Sequence, residues 1–242
     1  MKIELNHIYN GDCLALFKEM RDNSVDLIVT DPPYRITSRG GTGTMSGFMT
    51  ETRSKNGKIF THNDIDIAEY LPEFYRVLKN GTHCYIMCNN VNLPHFFEVI
   101  GKSAFHFTKL LVWDKQNKIC GTHYMSQVEF IFFLRKGSDR PISDCGESDL
   151  LTFPNKKDKH ADGGNIHDSQ KPVDLMRALI LNSTRPHQIV LDPFLGSGTT
   201  AIAAIREKRC YIGFELDKKY FDTAEKRILA ESQKKSLFDF AE

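Results

Sequence analysis

Apolar positions along this chain fall into short runs that alternate with helical spacings. Val25 to Thr30 (VDLIVT) reads as a buried strand. A helix follows over Ile65 to Leu78, where Ile67, Leu71, Phe74 and Leu78 recur at intervals of three and four, and Asn80-Gly81 just beyond gives a stop signal. His83 to Cys88, Lys109 to Trp113 and Val128 to Leu134 read as further strands. Pro172 stands where the first turn of a helix (PVDLMRALIL) tolerates a residue without an N–H. The segment IVLDPFLGSGTTAIAAIREKRCYIGFEL then runs strand, glycine turn, helix and strand, and a last helix extends from Lys218 to Ser232. Strands alternating with helices in this way predict an α/β fold with a doubly wound, mostly parallel sheet and helices on both faces.

Two stretches depart from that rhythm. Arg35 to Asn63 holds Gly40, Gly41, Gly43, Gly47 and Gly57 among Ser and Thr, and it is locally basic through Arg35, Arg39, Arg53, Lys55 and Lys58. So long a structureless segment is expected to be a mobile, functional loop. Lys136 to Ser169 is again rich in Gly, Asp and Lys.

Composition narrows the choice of function. The chain has 242 residues, 40% hydrophobic and 26% charged, with 32 Lys and Arg against 31 Asp and Glu. That length favours one domain over 1–242. The balance of charge excludes a protein that holds nucleic acid by bulk positive charge, though a local basic patch remains open. No run reaches the roughly 20 apolar residues of a spanning helix, and the opening MKIELNHIYNGDC lacks a signal-type apolar segment, so a protein that stays in the cytoplasm is expected. The six cysteines, at 13, 84, 88, 120, 145 and 210, form no CxxC pair and read as reduced thiols packed like small hydrophobes.

The chemistry is concentrated in two motifs. Asp192-Pro193-Phe194-Leu195-Gly196-Ser197-Gly198-Thr199-Thr200 lies at a strand-to-helix junction, where glycines let the backbone approach a ligand and the helix start offers free N–H groups. Glu215 ends the next strand, placed to accept hydrogen bonds from ribose hydroxyls. The loop lacks the lysine of a phosphate-binding Walker loop, which disfavours nucleotide hydrolysis. Alone, such a turn can serve packing only. However, Asp31-Pro32-Pro33-Tyr34 follows directly on the strand VDLIVT, at the end where α/β sheets bind ligands. Two prolines fix φ and carry no N–H, so the Asp31 carboxylate and a proline carbonyl form a rigid pair of acceptors beside the Tyr34 ring. That set suits a planar amine.

Together these motifs resemble those of the S-adenosylmethionine-dependent DNA amino-methyltransferases, in the permuted order (the β group) where the DPPY half precedes the FxGxG half. The likeness runs from Gly11-Asp12 to Glu215, and three unrelated motifs stand in family order. It implies a Rossmann-like methyltransferase fold with S-adenosyl-L-methionine as cofactor and no metal. On that resemblance, Asp31, Pro32, Pro33 and Tyr34 are catalytic. Asp192, Pro193, Phe194, Gly196, Ser197, Gly198, Thr199 and Glu215 hold the cofactor, with Asp12 near its adenine. His167-Asp168-Ser169-Gln170-Lys171-Pro172 resembles the family element H-P-T-Q-K-P, with Asp168 for Pro and Ser169 for Thr, so Ser169, Gln170 and Lys171 are expected at the methionine end.

The reaction implied is methyl transfer to adenine N6 of a flipped-out base in a specific double-stranded DNA site. Cytosine-N4 transfer is the nearest alternative, because Asp at the first motif position only tilts the family towards adenine. RNA or protein methylation, and a cofactor-binding subunit without turnover, stand further off. Target recognition is expected from 115–165, with Lys115, Lys118, His123, Tyr124, Arg135, Lys136, Arg140, Lys156, Lys157 and Lys159 as candidate DNA contacts. A homodimer and a cognate restriction endonuclease are possible partners by resemblance. The tail over 233–242, with Leu237-Phe238-Asp239-Phe240, loosely resembles peptides that bind replication sliding clamps.

Overall fold

The computed structural model describes residues 3–33, 65–119, 124–155 and 170–239. Among these, eight strands form one sheet in the order β1-β8-β7-β2-β3-β5-β4-β6. They are β1 (His7–Asn10), β2 (Val25–Thr30), β3 (Leu78–Cys88), β4 (His106–Ile119), β5 (Ser126–Arg135), β6 (Leu150–Thr152), β7 (Ile189–Asp192) and β8 (Cys210–Glu215). The described helices are α1 (Cys13–Phe17), α2 (Ile67–Val77), α3 (Leu93–Lys102), α4 (Val173–Ser183), α5 (Thr199–Arg206) and α6 (Lys218–Asp239). The pairs β1–β8, β8–β7, β7–β2, β2–β3 and β4–β6 are parallel, while β5 runs antiparallel between β3 and β4.

Alternation along a strand sends neighbouring side chains to opposite faces, and β2 shows what this does. Ile28 packs with Phe17, Leu71, Phe74 and Phe96 from α1, α2 and α3. Leu27 and Val29 pack with Leu175, Leu179, Ala203 and Ile228 from α4, α5 and α6. Both faces of the sheet are therefore covered, as the alternating pattern predicts, and β2 is buried along its whole length.

Asp66 starts α2 with a capping box, its carboxylate accepting from Ala68 N (2.9 Å) while Glu69 accepts from Asp66 N (2.8 Å). The end of α2 differs from the expectation. Asn80-Gly81 does not terminate it, because the helix stops at Val77 and β3 begins at Leu78. Gly81, at φ +74°, lies where the pairing of β3 with β2 shifts register between Leu78 and His83. The hairpin strands β4 and β5 are longer than their apolar runs suggest, since cross-strand pairing recruits the polar flanks. The last helix continues seven residues past its expected end, to Asp239. The segments β1, β6 and α1 carry too short a pattern to be read from the sequence, and the ten-residue α3 was not anticipated.

Burial also corrects two candidate DNA contacts. Lys136 is 9% exposed, and its ammonium donates to the carbonyls of Tyr75 (2.6 Å) and Leu78 (2.7 Å) and to Asn23 Oδ1 (2.9 Å), closing the junction between α2 and β3. Lys115 is 3% exposed and paired with Glu129. Neither lysine faces solvent, so neither is placed to meet a phosphate. The loop over 35–63 lies outside the described residues. Cys13, Cys84 and Cys88 are buried free thiols, as expected, but Cys145 is exposed. Among the described residues no helix is long and apolar enough to cross a membrane.

Lys136→Met would leave two buried carbonyls without their donor. It is expected to lower the unfolding free energy by about 1–3 kcal/mol, read by urea denaturation.

Candidate active site

The chain leaves β2 towards β3 on one side and leaves β7 towards β8 on the other, so a crevice opens beyond the carboxyl ends of these adjacent strands. Asp192, the last residue of β7, fastens that crevice together. Its Oδ1 accepts from Thr30 Oγ1 (2.7 Å) and Phe194 N (3.1 Å), and its Oδ2 accepts from Thr200 Oγ1 (2.6 Å). Burial pushes the carboxyl up to about 6, against the hydrogen bonds that favour its charged form. One side chain thus joins the strand that leads into Asp31, the glycine turn and helix α5.

The turn from Pro193 to Gly198 brings Gly196 and Gly198 into the left-handed region, at φ 57° and 85°. Gly198 caps α5, and a β-carbon there would lie 3.1 Å from Ala224 Cβ. Gly196 N donates to Glu215 Oε2 (2.7 Å), and Asp217 N donates to Glu215 Oε1 (2.8 Å). Burial pushes the Glu215 carboxyl up to about 7 despite these donors. The edge strand β1 brings Asp12 to the same end of the sheet: Gly11 N donates to Glu215 O (3.0 Å), and Asp12 caps α1 by accepting from Ala15 N (3.0 Å). Pro193, Ser197 and Thr199 are buried, and Ser197 Oγ accepts from Arg227 (3.0 Å).

Across the β2–β7 joint lies a row of opposite charges. Asp31, directly after β2, accepts from the Lys171 ammonium just ahead of α4, with Gln170 buried next in sequence. Lys171 also stands 3.6 Å from Glu129 Oε2 on β5, and Lys115 on β4 stands 3.2 Å from Glu129 Oε1. Burial alone would lower the Lys171 ammonium, but Asp31 and Glu129 hold it above its ordinary value. Burial alone would likewise raise the Glu129 carboxyl, yet Lys171 and Lys115 hold it below. Pro32 is buried behind Asp31, whereas Tyr34 and Ser169 lie outside the described residues.

The expected residues therefore gather into two adjoining groups, Asp12, Asp192, Gly196, Gly198 and Glu215 in one, Asp31 and Lys171 in the other. Thr30 and Glu129 belong to these groups and were not anticipated. A charged residue inside the apolar run Val128-Glu129-Phe130-Ile131 is the signal that marks Glu129.

A family model described as DNA methylase matches residues 25–226, which hold both groups apart from Asp12. The chain belongs to the DNA methylase family. This methylase is 30% identical to the DNA adenine methyltransferase YhdJ of Escherichia coli over 93% of its own length and 83% of that protein. It is 29% identical to the Type II methyltransferase M.HinfI of Haemophilus influenzae over 93% and 68%. Among solved structures, the M1.HpyAVI-SAM complex superposes with a TM-score of 0.68 at 25% identity, covering 91% of the methylase and 98% of that chain. The amino-methyltransferase expected from DPPY before FLGSG is borne out at the level of family, and so is the Rossmann-like α/β fold. DNA is accordingly the substrate of the methylase.

Gly198→Ala forces a β-carbon into left-handed backbone against Ala224. The expected cost is about 1–2 kcal/mol of stability, measured by thermal or urea unfolding.

Proposed function

We propose that this DNA methylase transfers the methyl group of S-adenosylmethionine to N6 of an adenine turned out of double-stranded DNA. The observation that carries the proposal is the placing of Asp31: fixed by Lys171 at the end of β2, it lies one residue from Thr30, which is bonded to the glycine turn through Asp192. An acceptor for an amine and a cradle for a nucleoside thus share one crevice.

The residues on the cradle side fit the cofactor. Glu215 is a largely buried carboxylate met by two backbone N–H groups, and it has lone pairs left for ribose hydroxyls. The glycine turn leaves room for close approach at the start of α5. When bound, S-adenosylmethionine supplies a methyl carbon made electrophilic by its sulfonium. On the other side, Asp31 and a carbonyl of Pro32 or Pro33 accept the two N–H bonds of the amine, which localises its lone pair on nitrogen. Methylation of that nitrogen would break the carbon–sulfur bond with its electrons left on sulfur, and the one amine proton released would pass by way of Asp31 to water. Cys88 is not needed as a nucleophile. Burial, with the nearby Asp31 and Glu129, pushes its thiol up to about 12.

Turning a base out of the duplex costs about a few kcal/mol, and stacking on Tyr34 would return roughly 1–3 kcal/mol. Target recognition within 115–165 has exposed Lys118, near the end of β4, and exposed Tyr124, just ahead of β5, available. Adenine is favoured by Asp31 and by the likeness to a protein named a DNA adenine methyltransferase. A cytoplasmic setting, a homodimer and a companion restriction endonuclease belong to the same reading, and a clamp contact through 233–242 would be lost on deleting that tail.

Mass spectrometry of nucleosides from treated DNA is expected to show N6-methyladenine, and N4-methylcytosine alone would refute the choice of base. Asp31→Asn is expected to lower kcat by about 10²–10³-fold while calorimetry shows cofactor affinity retained. For Glu215, ribose hydroxyls bind the carboxylate, so protonation opposes binding. Affinity for S-adenosylmethionine should fall as pH drops through about 7, and Glu215→Gln should flatten that dependence.

A further inference from the structure

The row Asp31–Lys171–Glu129–Lys115 contains more charge than gripping an amine requires. Its members come from four places in the chain, the end of β2, the approach to α4, β5 and β4, and they meet at one edge of the sheet. Glu129 stands opposite Trp113 on β4, one pair beyond Phe130, which pairs with Cys88 at the end of β3. Buried ion pairs of this kind add little net stability, because desolvation offsets their attraction. Glu129 Oε2 is also buried with no hydrogen-bond partner among the described residues, and it faces Lys171 at 3.6 Å. An oxygen kept in that state is a poor structural device, but it is a suitable counter-charge.

The need for a second counter-charge follows from the reaction just proposed, on which this inference rests. At rest, Asp31 balances Lys171. As the target amine pushes proton density towards Asp31, that balance weakens, and an 8%-exposed ammonium with no other anion nearby would tend to give up its own proton. We propose that Glu129, anchored by Lys115, is a positioning residue that keeps Lys171 charged beside Asp31 throughout methyl transfer, so that Asp31 serves as a hydrogen-bond acceptor and passes the amine proton on. Among the described residues, Cys88 at the end of β3 and Asp192 at the end of β7 are further titratable groups in the field of Asp31.

The test compares the parent enzyme with Glu129→Gln and with the double variant Lys115→Met/Glu129→Gln, which removes Glu129 together with its partner, so that Lys115 is not left as an unpaired buried cation. Removing the Glu129 anion lowers the pH at which Lys171 deprotonates, so the fraction of neutral Lys171 grows as pH rises. In Glu129→Gln, kcat is expected to fall about tenfold or more, equivalent to at least one pKa unit of lost interaction. The KM for DNA and the calorimetric affinity for S-adenosylmethionine should stay at parent values. A decline of kcat towards alkaline pH should appear where the parent is flat, and the double variant should show the same decline. Nitrogen-15 NMR of the lysine ammonium groups, assigned with Lys171→Arg, reads the same shift without turnover: the Lys171 signal should titrate at lower pH in both variants. An unchanged Lys171 titration overturns the inference, as does a loss of activity with a flat pH profile. Should Glu129→Gln alone fail to fold, the double variant carries both readouts. A parent enzyme that methylates another acceptor, or none, contradicts the proposed function instead, while the NMR result still decides the role of Glu129.

Discussion

The buried carboxylate of Asp192 is the contact on which the site depends. A group so enclosed would ordinarily be avoided, and here three donors from three different parts of the chain converge on it. Those parts are the strand that delivers Asp31, the glycine turn proposed to cradle the nucleoside and the first turn of α5. Without that joint, β2 and β7 would still pair through Leu27 and Ile28. The acceptor and the cradle would no longer be held at a fixed distance, however, and transfer between two bound groups is acutely sensitive to distance.

Around that joint the molecule divides its polar groups by purpose. Glu215 and Asp192 are carboxyls that burial raises, to about 7 and about 6. Asp31 and Glu129 instead share Lys171, whose charge they preserve. Both pairs lie at the carboxyl edge of the sheet, which leaves the opposite edge to purely structural contacts such as Lys136 on its carbonyls.

Much of this was legible in the sequence because local chemistry and local structure coincide there. VDLIVT followed by DPPY is a strand and its functional end within ten residues, and LDPFLGSGTT carries both the turn and the ligand cradle. What stayed hidden depends on contacts between distant segments. Lys115 and Glu129 are fourteen residues apart on a hairpin, and Lys171 reaches them from a third segment. On a list of charges Lys115 and Lys136 resemble phosphate contacts, and only burial separates them from exposed Lys118. The short elements β1 and β6 exist because longer strands already present an edge to pair with.

The exocyclic amine of adenine is the proposed methyl acceptor in the crevice between Asp31 and the glycine turn. This is tested most directly by methyl-labelled S-adenosylmethionine and two enzymatically copied DNAs of the same sequence, one of them carrying a purine without the 6-amino group in place of adenine. Label is expected in the adenine-containing DNA and none in the other. Equal labelling of both DNAs would contradict it.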